Sequence, residues 1–249
     1  MIINTGLVGR GQWGIKVKKI LEKISNLKFV KGRDFNPEFL LKNKNVNWVF
    51  VITSNKSHYT IVRKCLIYNK NVFCEKPLTS SFIESKKLIE LAKDKNVKLF
   101  ISDIYSFHPR KIKKLLKLNR FFRSKLTKKN DFEFVERFLY HDLSIIYEKV
   151  KKLKIKKINI YKNKIKKIIK LELIFTNFKT IQFVYNLKSK RKKHTINNIN
   201  FITKKDILKK MIINVLFKKN NYKKIYQKTI FLNKILDKIK ANLSRKKIF

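Results

Sequence analysis

The chain has 249 residues, 44% of them hydrophobic, and its 63 Lys and Arg against 16 Asp and Glu leave a formal net charge of +47. That is enough apolar material for one large domain or two modest ones. No apolar run approaches the roughly 20 residues of a membrane helix, and Cys65 and Cys74 form no CxxC pair, which reads as a reduced, cytoplasmic protein without a zinc site. The lysines are spread along the chain rather than gathered in one block. No zinc-finger spacing or RNA-binding aromatic signature accompanies them, so the charge reads as compositional bias more than as a specific nucleic-acid surface. Such a field would still draw in phosphorylated or nucleotide-linked substrates.

The first residues run straight into a strand at 4–8, without a signal-peptide pattern. A helix follows the glycine turn, with Ile15, Ile20, Leu21 and Ile24 as its apolar positions. Residues 27–30 read as a second strand. Residues 46–53, with Trp48, Val49, Phe50, Val51 and Ile52 in succession, have the continuous apolar run of a strand covered on both faces. A helix over 57–69, a strand over 72–74, a helix over 81–96 and a strand over 97–104 complete an alternation of strands and helices that predicts a doubly wound parallel sheet. Beyond residue 104 the texture changes. A basic helix is expected over 110–118, another helix from His141 to 152, and strands over 157–161, 165–176, 180–185 and 195–203, with a hairpin turn at 177–179. The tail, 222–243, reads as a long lysine-rich helix packed on one side. The expected architecture is an α/β protein with an N-terminal Rossmann domain, 1–105, and a C-terminal α+β domain, 106–249, whose sheet is mostly antiparallel.

Gly9-Arg10-Gly11-Gln12-Trp13-Gly14 lies between the first strand and the first helix. In a dinucleotide site the first glycine makes the tight turn, the second lets the backbone approach a pyrophosphate, and the third packs helix on strand. The helix start then offers free N–H groups to the phosphates. The residue for the ribose is ambiguous. If Gly32 takes the acidic position, Arg33 faces a 2′-phosphate and the cofactor is NADP; if Asp34 reaches the ribose, it is NAD.

Four stretches in order resemble the Gfo/Idh/MocA oxidoreductases, the relatives of glucose-fructose oxidoreductase and inositol dehydrogenase. They are the glycine turn, the strand end Val51-Ile52-Thr53-Ser54-Asn55-Lys56-Ser57-His58, the motif Glu75-Lys76-Pro77, and Phe107-His108-Pro109 followed later by His141-Asp142. The match is best over residues 1 to 110. The resemblance implies hydride transfer between NAD or NADP and a hydroxyl of a sugar, free or nucleotide-linked. It implies cofactor contacts from Gly9, Gly11, Gln12, Trp13, Gly14, Arg33 or Asp34, Thr53, Asn55, His58, Glu75, Lys76 and Pro77. It places Lys76 beside nicotinamide and substrate, His141 at the general acid/base position, and a cis bond between Lys76 and Pro77. It also implies a homo-oligomer; the composition and spacing lead to the expectation of no metal, no membrane and no specific nucleic-acid partner. Two positions depart from the family pattern: Arg137 stands where an aspartate precedes the histidine, and Ser106 where an arginine precedes Phe-His-Pro. A different class of function, a noncatalytic Rossmann-type protein using its basic surface to hold nucleic acid or an acidic partner, is the alternative.

The chemistry suits these residues. An alcohol that loses hydride must also lose its hydroxyl proton, and an imidazole accepts it near neutrality. A lysine beside the reacting oxygen stabilises the developing charge. Plainer roles are expected elsewhere. Ser57 is expected to cap its helix, with Asn55 and His58 as further capping groups. Asp142 is expected to favour a helix start through the dipole. His108 is expected to be structural, His194 to face solvent, and Cys74 to be a small buried hydrophobe.

Overall fold

The structure, a computed structural model, describes residues 2–32, 36, 38, 42–125, 131–163, 165–202 and 206–245. It divides into two compact units, one of Met1–Ile104 with Asp206–Lys234, the other of Tyr105–Lys205 with Ile235–Phe249.

The first unit is built on a five-stranded sheet of β1 (Asn4–Val8), β2 (Asn26–Lys31), β3 (Trp48–Val51), β4 (Asn71–Cys74) and β5 (Leu99–Ile101), in the order β2-β1-β3-β4-β5. Every pairing is parallel. All four residues of β3 are buried, as expected for a central strand covered on both faces. Phe50, Phe73 and Phe100 occupy one register row across β3, β4 and β5 and stack with ring centroids 4.8 and 5.6 Å apart. The helices α1 (Gln12–Ile24), α2 (Asn55–Ile67) and α3 (Phe82–Asp94) follow β1, β3 and β4. α3 starts where the Ser81 hydroxyl accepts the Glu84 N–H at 3.4 Å.

The buried stripe of α1 is Gly14, Val17 and Leu21, while Ile15 is 49% exposed. Ile15 therefore stands outside the core-facing stripe expected from the sequence. The close approach of Gly14 to the glycine turn sets the rotation of the helix, and positions three and seven residues later follow it inward. α5 (Asp206–Phe217) is a helix that the sequence reading left out; its buried residues are Ile207, Leu208, Met211, Ile212, Val215 and Leu216. α6 (Tyr222–Arg245) begins in this unit, where the Tyr226 hydroxyl accepts the Leu99 N–H at 3.2 Å and so covers part of the β5 edge.

The second unit holds a six-stranded sheet in the order β11-β10-β6-β9-β8-β7. Its strands are β6 (Leu118–Ser124), β7 (Ile155–Asn163), β8 (Ile168–Phe175), β9 (Thr180–Asn186), β10 (Lys193–Ile196) and β11 (Ile199–Asn200). Only β6 and β9 pair in parallel; the other pairs are antiparallel. β8 and β9 alternate in burial, so one face carries Ile169, Leu171, Leu173, Phe175, Ile181, Phe183 and Tyr185 into the core. α4 (Asp131–Val150) buries Leu139, Leu143, Ile146 and Val150 and bonds to β6 and β9 through Asp142.

Several expectations change here. The predicted helix over 110–118 is not formed. Asn119 instead accepts the Leu116 N–H at 3.1 Å and donates to the Leu116 carbonyl at 2.8 Å, a local side-chain turn that leads into β6. α4 starts at Asp131, so His141 lies in mid-helix rather than at a helix start. The single strand expected over 195–203 is two strands, reversed at Asn197 and Asn198 with φ of 47° and 67°. Among the described residues no helix is long and apolar enough to cross a membrane.

Candidate functional site

The glycine turn sits at the carboxyl end of the parallel sheet. Gly9 has φ of 128°, a conformation that L side chains rarely adopt, and a Cβ there would lie 2.2 Å from the Ile52 carbonyl oxygen. A Cβ on Gly14 would lie 2.1 Å from the Gly9 oxygen. Both neighbours are backbone, so neither can swing away. Gly11 is the opposite case: nothing lies within 4 Å of where its Cβ would be. It is also the N-cap of α1, with no side-chain cap and no acid in the first turn. The turn is thus closed on the protein side and open on the other, with the helix N–H groups left for an anion. These features fit a dinucleotide pyrophosphate. Gln12 opens α1 on the exposed side. Arg33 and Asp34, the alternatives for the ribose, lie outside the described residues.

Trp13 ties this turn to the Glu75-Lys76-Pro77 motif. Its indole Nε1–H donates to Glu75 Oε1 at 2.7 Å, and the Lys76 N–H donates to Glu75 Oε2 at 3.3 Å. The Lys16 ammonium lies 5.2 Å from the indole centroid. The Lys76–Pro77 bond is cis, as the family resemblance implies, and Lys76 is buried at 8% exposure. β4 leads into the motif: the Glu75 N–H donates to Val51 O at 3.0 Å, continuing the ladder one step past the strand.

The β3 loop closes on the same motif. His58 is fully buried, with Nδ1 3.0 Å from the Pro77 carbonyl and Nε2 3.3 Å from that of Thr53. Burial has the largest influence on its titration and holds it below the ordinary histidine range, against the opposing pull of the Pro77 carbonyl and the Glu75 charge. The Ser57 hydroxyl donates to Thr53 Oγ1 at 2.8 Å and to the Ser54 carbonyl at 2.9 Å. Ser54 is the N-cap of α2, and its side chain makes no cap bond. Ser57 and His58 therefore fasten the loop rather than cap the helix, and Asn55 is the first helical residue. Cys74 is buried, and burial pushes its thiol well above its ordinary value.

Within the first unit, then, Gly9, Gly11, Gln12, Trp13, Gly14, Thr53, Asn55, His58, Glu75, Lys76 and Pro77 belong to the loops and first helical turns that follow the carboxyl ends of β1, β3 and β4, where ligands bind in open α/β sheets.

His141 belongs to the second unit, half-buried on α4, with its ring 5.0 Å from that of Tyr105 in an edge arrangement at 66°. Arg137, one turn earlier, is exposed, and the adjacent Glu136 pairs with Lys240 at 2.7 Å. Asp142 does not act at a helix start. It is fully buried and accepts the Arg123 Nε–H at 2.8 Å and Nη2–H at 2.7 Å, with Tyr185 O–H donating to its other oxygen at 3.1 Å. His194, expected in solvent, is 3% exposed with Nε2 3.0 Å from Asp142 Oδ1. Burial pushes Asp142 up, but the Arg123 charge and the His194 bond outweigh it and leave the carboxyl below its ordinary range. Burial also dominates for His194 and lowers it. His108 is buried, its Nδ1 accepts the Arg110 N–H at 3.1 Å, and its ring stacks on Phe201 at 5.3 Å. The sequence reads Arg123 only as the start of a polar segment over 123–131, whereas it lies in β6, and it passes over Tyr105. No local pattern marks them, because their partners come from distant elements.

Among the described residues no cluster of His, Cys, Asp and Glu could hold a metal ion. Residues 15–102 match the Gfo/Idh/MocA profile, described as an oxidoreductase family with an NAD-binding Rossmann fold. The glycine turn precedes the matched segment; the Thr53, His58 and Glu75-Lys76-Pro77 positions fall inside it. Over 85 residues the chain is 33% identical to the myo-inositol 2-dehydrogenase of Thermotoga maritima, covering 34% of this chain and 24% of that one. The chain spans 17% to 33% of the length of the curated relatives it matches.

Solved structures share the fold over nearly all of the chain. The UDP-N-acetylglucosamine 3-dehydrogenase GnnA of Acidithiobacillus ferrooxidans superposes with a TM-score of 0.76 at 14% identity, covering 95% of this chain and 97% of that one. GenD2 from gentamicin A biosynthesis, solved in complex with NAD, also gives 0.76, at 12% identity with 95% and 92% covered. At these identities the likeness shows the fold alone. Together with the closed glycine turn and the Glu75-Lys76-Pro77 motif, the family match identifies residues 15–102 as an NAD-binding Rossmann segment of the Gfo/Idh/MocA oxidoreductases.

Proposed function

We propose that the protein is an NAD(P)-dependent dehydrogenase that moves hydride between a nicotinamide cofactor and a hydroxyl of a sugar or sugar nucleotide. The observation that carries this reading is the glycine turn, closed by backbone at Gly9 and Gly14 and open at Gly11 over an uncapped helix start. When bound, the nicotinamide supplies the carbon that takes or gives the hydride. The chain's own residues do the rest. Gly11 and the first turn of α1 bind the pyrophosphate. Trp13 and Glu75 fix the loop that presents Lys76, whose ammonium stabilises negative charge on the reacting oxygen. His141 accepts or returns the hydroxyl proton. Arg33 or Asp34 selects between the two cofactors. We further place the protein in the cytoplasm, as a homo-oligomer. The family match does not favour the alternative of a basic-surface binding protein.

The test is thermal stabilisation by NAD, NADH, NADP and NADPH at millimolar concentration, followed by reduced-nicotinamide absorbance with UDP-N-acetylglucosamine and myo-inositol as probes. A shift in melting with one cofactor, abolished in Gly11→Val, supports the reading. No shift with any of the four refutes it.

A further inference from the structure

In the second unit, Arg123, Asp142, His194 and Tyr105 form a closed ring of buried polar contacts. Arg123 can only donate. Its Nη2 lies 3.3 Å from the Tyr105 oxygen, so that oxygen accepts, and His194 Nδ1 lies 3.1 Å from both the Tyr105 oxygen and the Phe201 carbonyl. His194 Nε2 lies 3.0 Å from Asp142 Oδ1. Asp142 returns to Arg123 through the forked bonds at 2.8 and 2.7 Å, which closes the ring. The Arg123 guanidinium also lies 5.4 Å from the Tyr105 ring centroid. Each group is fixed by at least two others, so the Tyr105 ring has one orientation.

That ring is the one against which His141 packs, edge to face at 5.0 Å. His141 and Asp142 are neighbours on α4, so one helix supplies both the anchor of the network and the imidazole that it reaches through Tyr105. We propose that Tyr105 is a positioning residue for His141, held in place by Arg123, Asp142 and His194. The inference rests on the reading of His141 as the proton-transfer group, and it deepens that reading without depending on the identity of the sugar.

The experiment is NMR of the full chain labelled with ¹³C and ¹⁵N at its four histidines, the His141 signals being assigned by their loss in His141→Asn. In Tyr105→Phe and in His194→Asn the His141 ring resonances shift and broaden. His194→Gln, which keeps one donor and one acceptor, retains the wild-type His141 signals. The amides of β7 and β8, paired strands of the same unit, stay protected from hydrogen exchange and report that each variant is folded. His141 resonances unmoved in both Tyr105→Phe and His194→Asn, with melting lowered, would mean that the network is only structural and would overturn the proposal. A turnover arm separates the two readings. With the probe sugar that supports reduction, Tyr105→Phe lowers kcat about 10-fold and leaves the cofactor KM unchanged, since a misplaced catalytic group costs rate rather than affinity. Undiminished turnover in His141→Asn would refute His141 as the proton carrier, whatever the NMR of Tyr105→Phe shows about its position.

Discussion

Replacing Arg123 with Met tests whether the second unit depends on its buried charge network. Asp142 is fully buried and Arg123 nearly so, and the guanidinium makes three bonds to the carboxylate, at 2.8, 3.1 and 2.7 Å. Removing one partner of such a pair typically costs about 3–5 kcal/mol, because the other charge stays buried without its counter-ion. Here Tyr185 goes on donating to Asp142, so the lower end, about 3 kcal/mol, is the expected loss. For a chain of this size that corresponds to a fall of roughly 10 °C in Tm. Tryptophan fluorescence is a poor probe, since Trp13 and Trp48 both lie in the first unit. Far-UV circular dichroism through a urea titration, with hydrogen exchange at the amides of β6 and β9, reads the affected region. The double variant Arg123→Met with Asp142→Leu removes both charges and is expected to recover part of the loss, though the Tyr185 donor then lacks its acceptor. A cost under about 1 kcal/mol in Arg123→Met, or no recovery in the double variant, would refute the electrostatic reasoning.

Gly14→Ala pushes a methyl group to 2.1 Å from the Gly9 carbonyl oxygen, and overpacking against backbone is expected to cost about 1–3 kcal/mol and to abolish cofactor-induced stabilisation, both read by thermal melting. Phe73→Ala deletes the middle ring of a fully buried stack and is expected to cost about 3–5 kcal/mol by urea unfolding. Trp13→Phe loses the 2.7 Å bond to Glu75; the site is partly exposed, so a loss of about 1 kcal/mol is expected, with weaker NAD(P)H binding by titration. His58 and His194 are both lowered by burial, so the folded state binds fewer protons than the unfolded one. Their contribution is complete above the unfolded value of about 6.5 and is lost as pH falls below it toward the folded values. Urea midpoints should therefore drop on acidification through that window, less steeply in His194→Asn.

The parallel sheet and the glycine turn were legible because their signals are local. A run such as Trp48 to Ile52 is apolar whatever surrounds it, and Gly9, Gly11 and Gly14 meet a spacing that a single strand-turn-helix imposes. β6 was hidden because a lysine-rich stretch with Ile112, Leu115 and Leu116 has helical spacing, and the Asn119 side-chain turn that stops a helix is a matter of hydrogen bonding rather than pattern.

The sequence by itself determined the fold class, the turn for the dinucleotide and the motif that carries Lys76. Only the tertiary structure decided the surroundings of His141. Asp142 looked like a dipole-favoured acid and His194 like a surface residue, and each is buried because Arg123 arrives from a strand remote in sequence. A buried charge is stable only with its partners, and those partners exist only once β6, β10 and α4 are brought together.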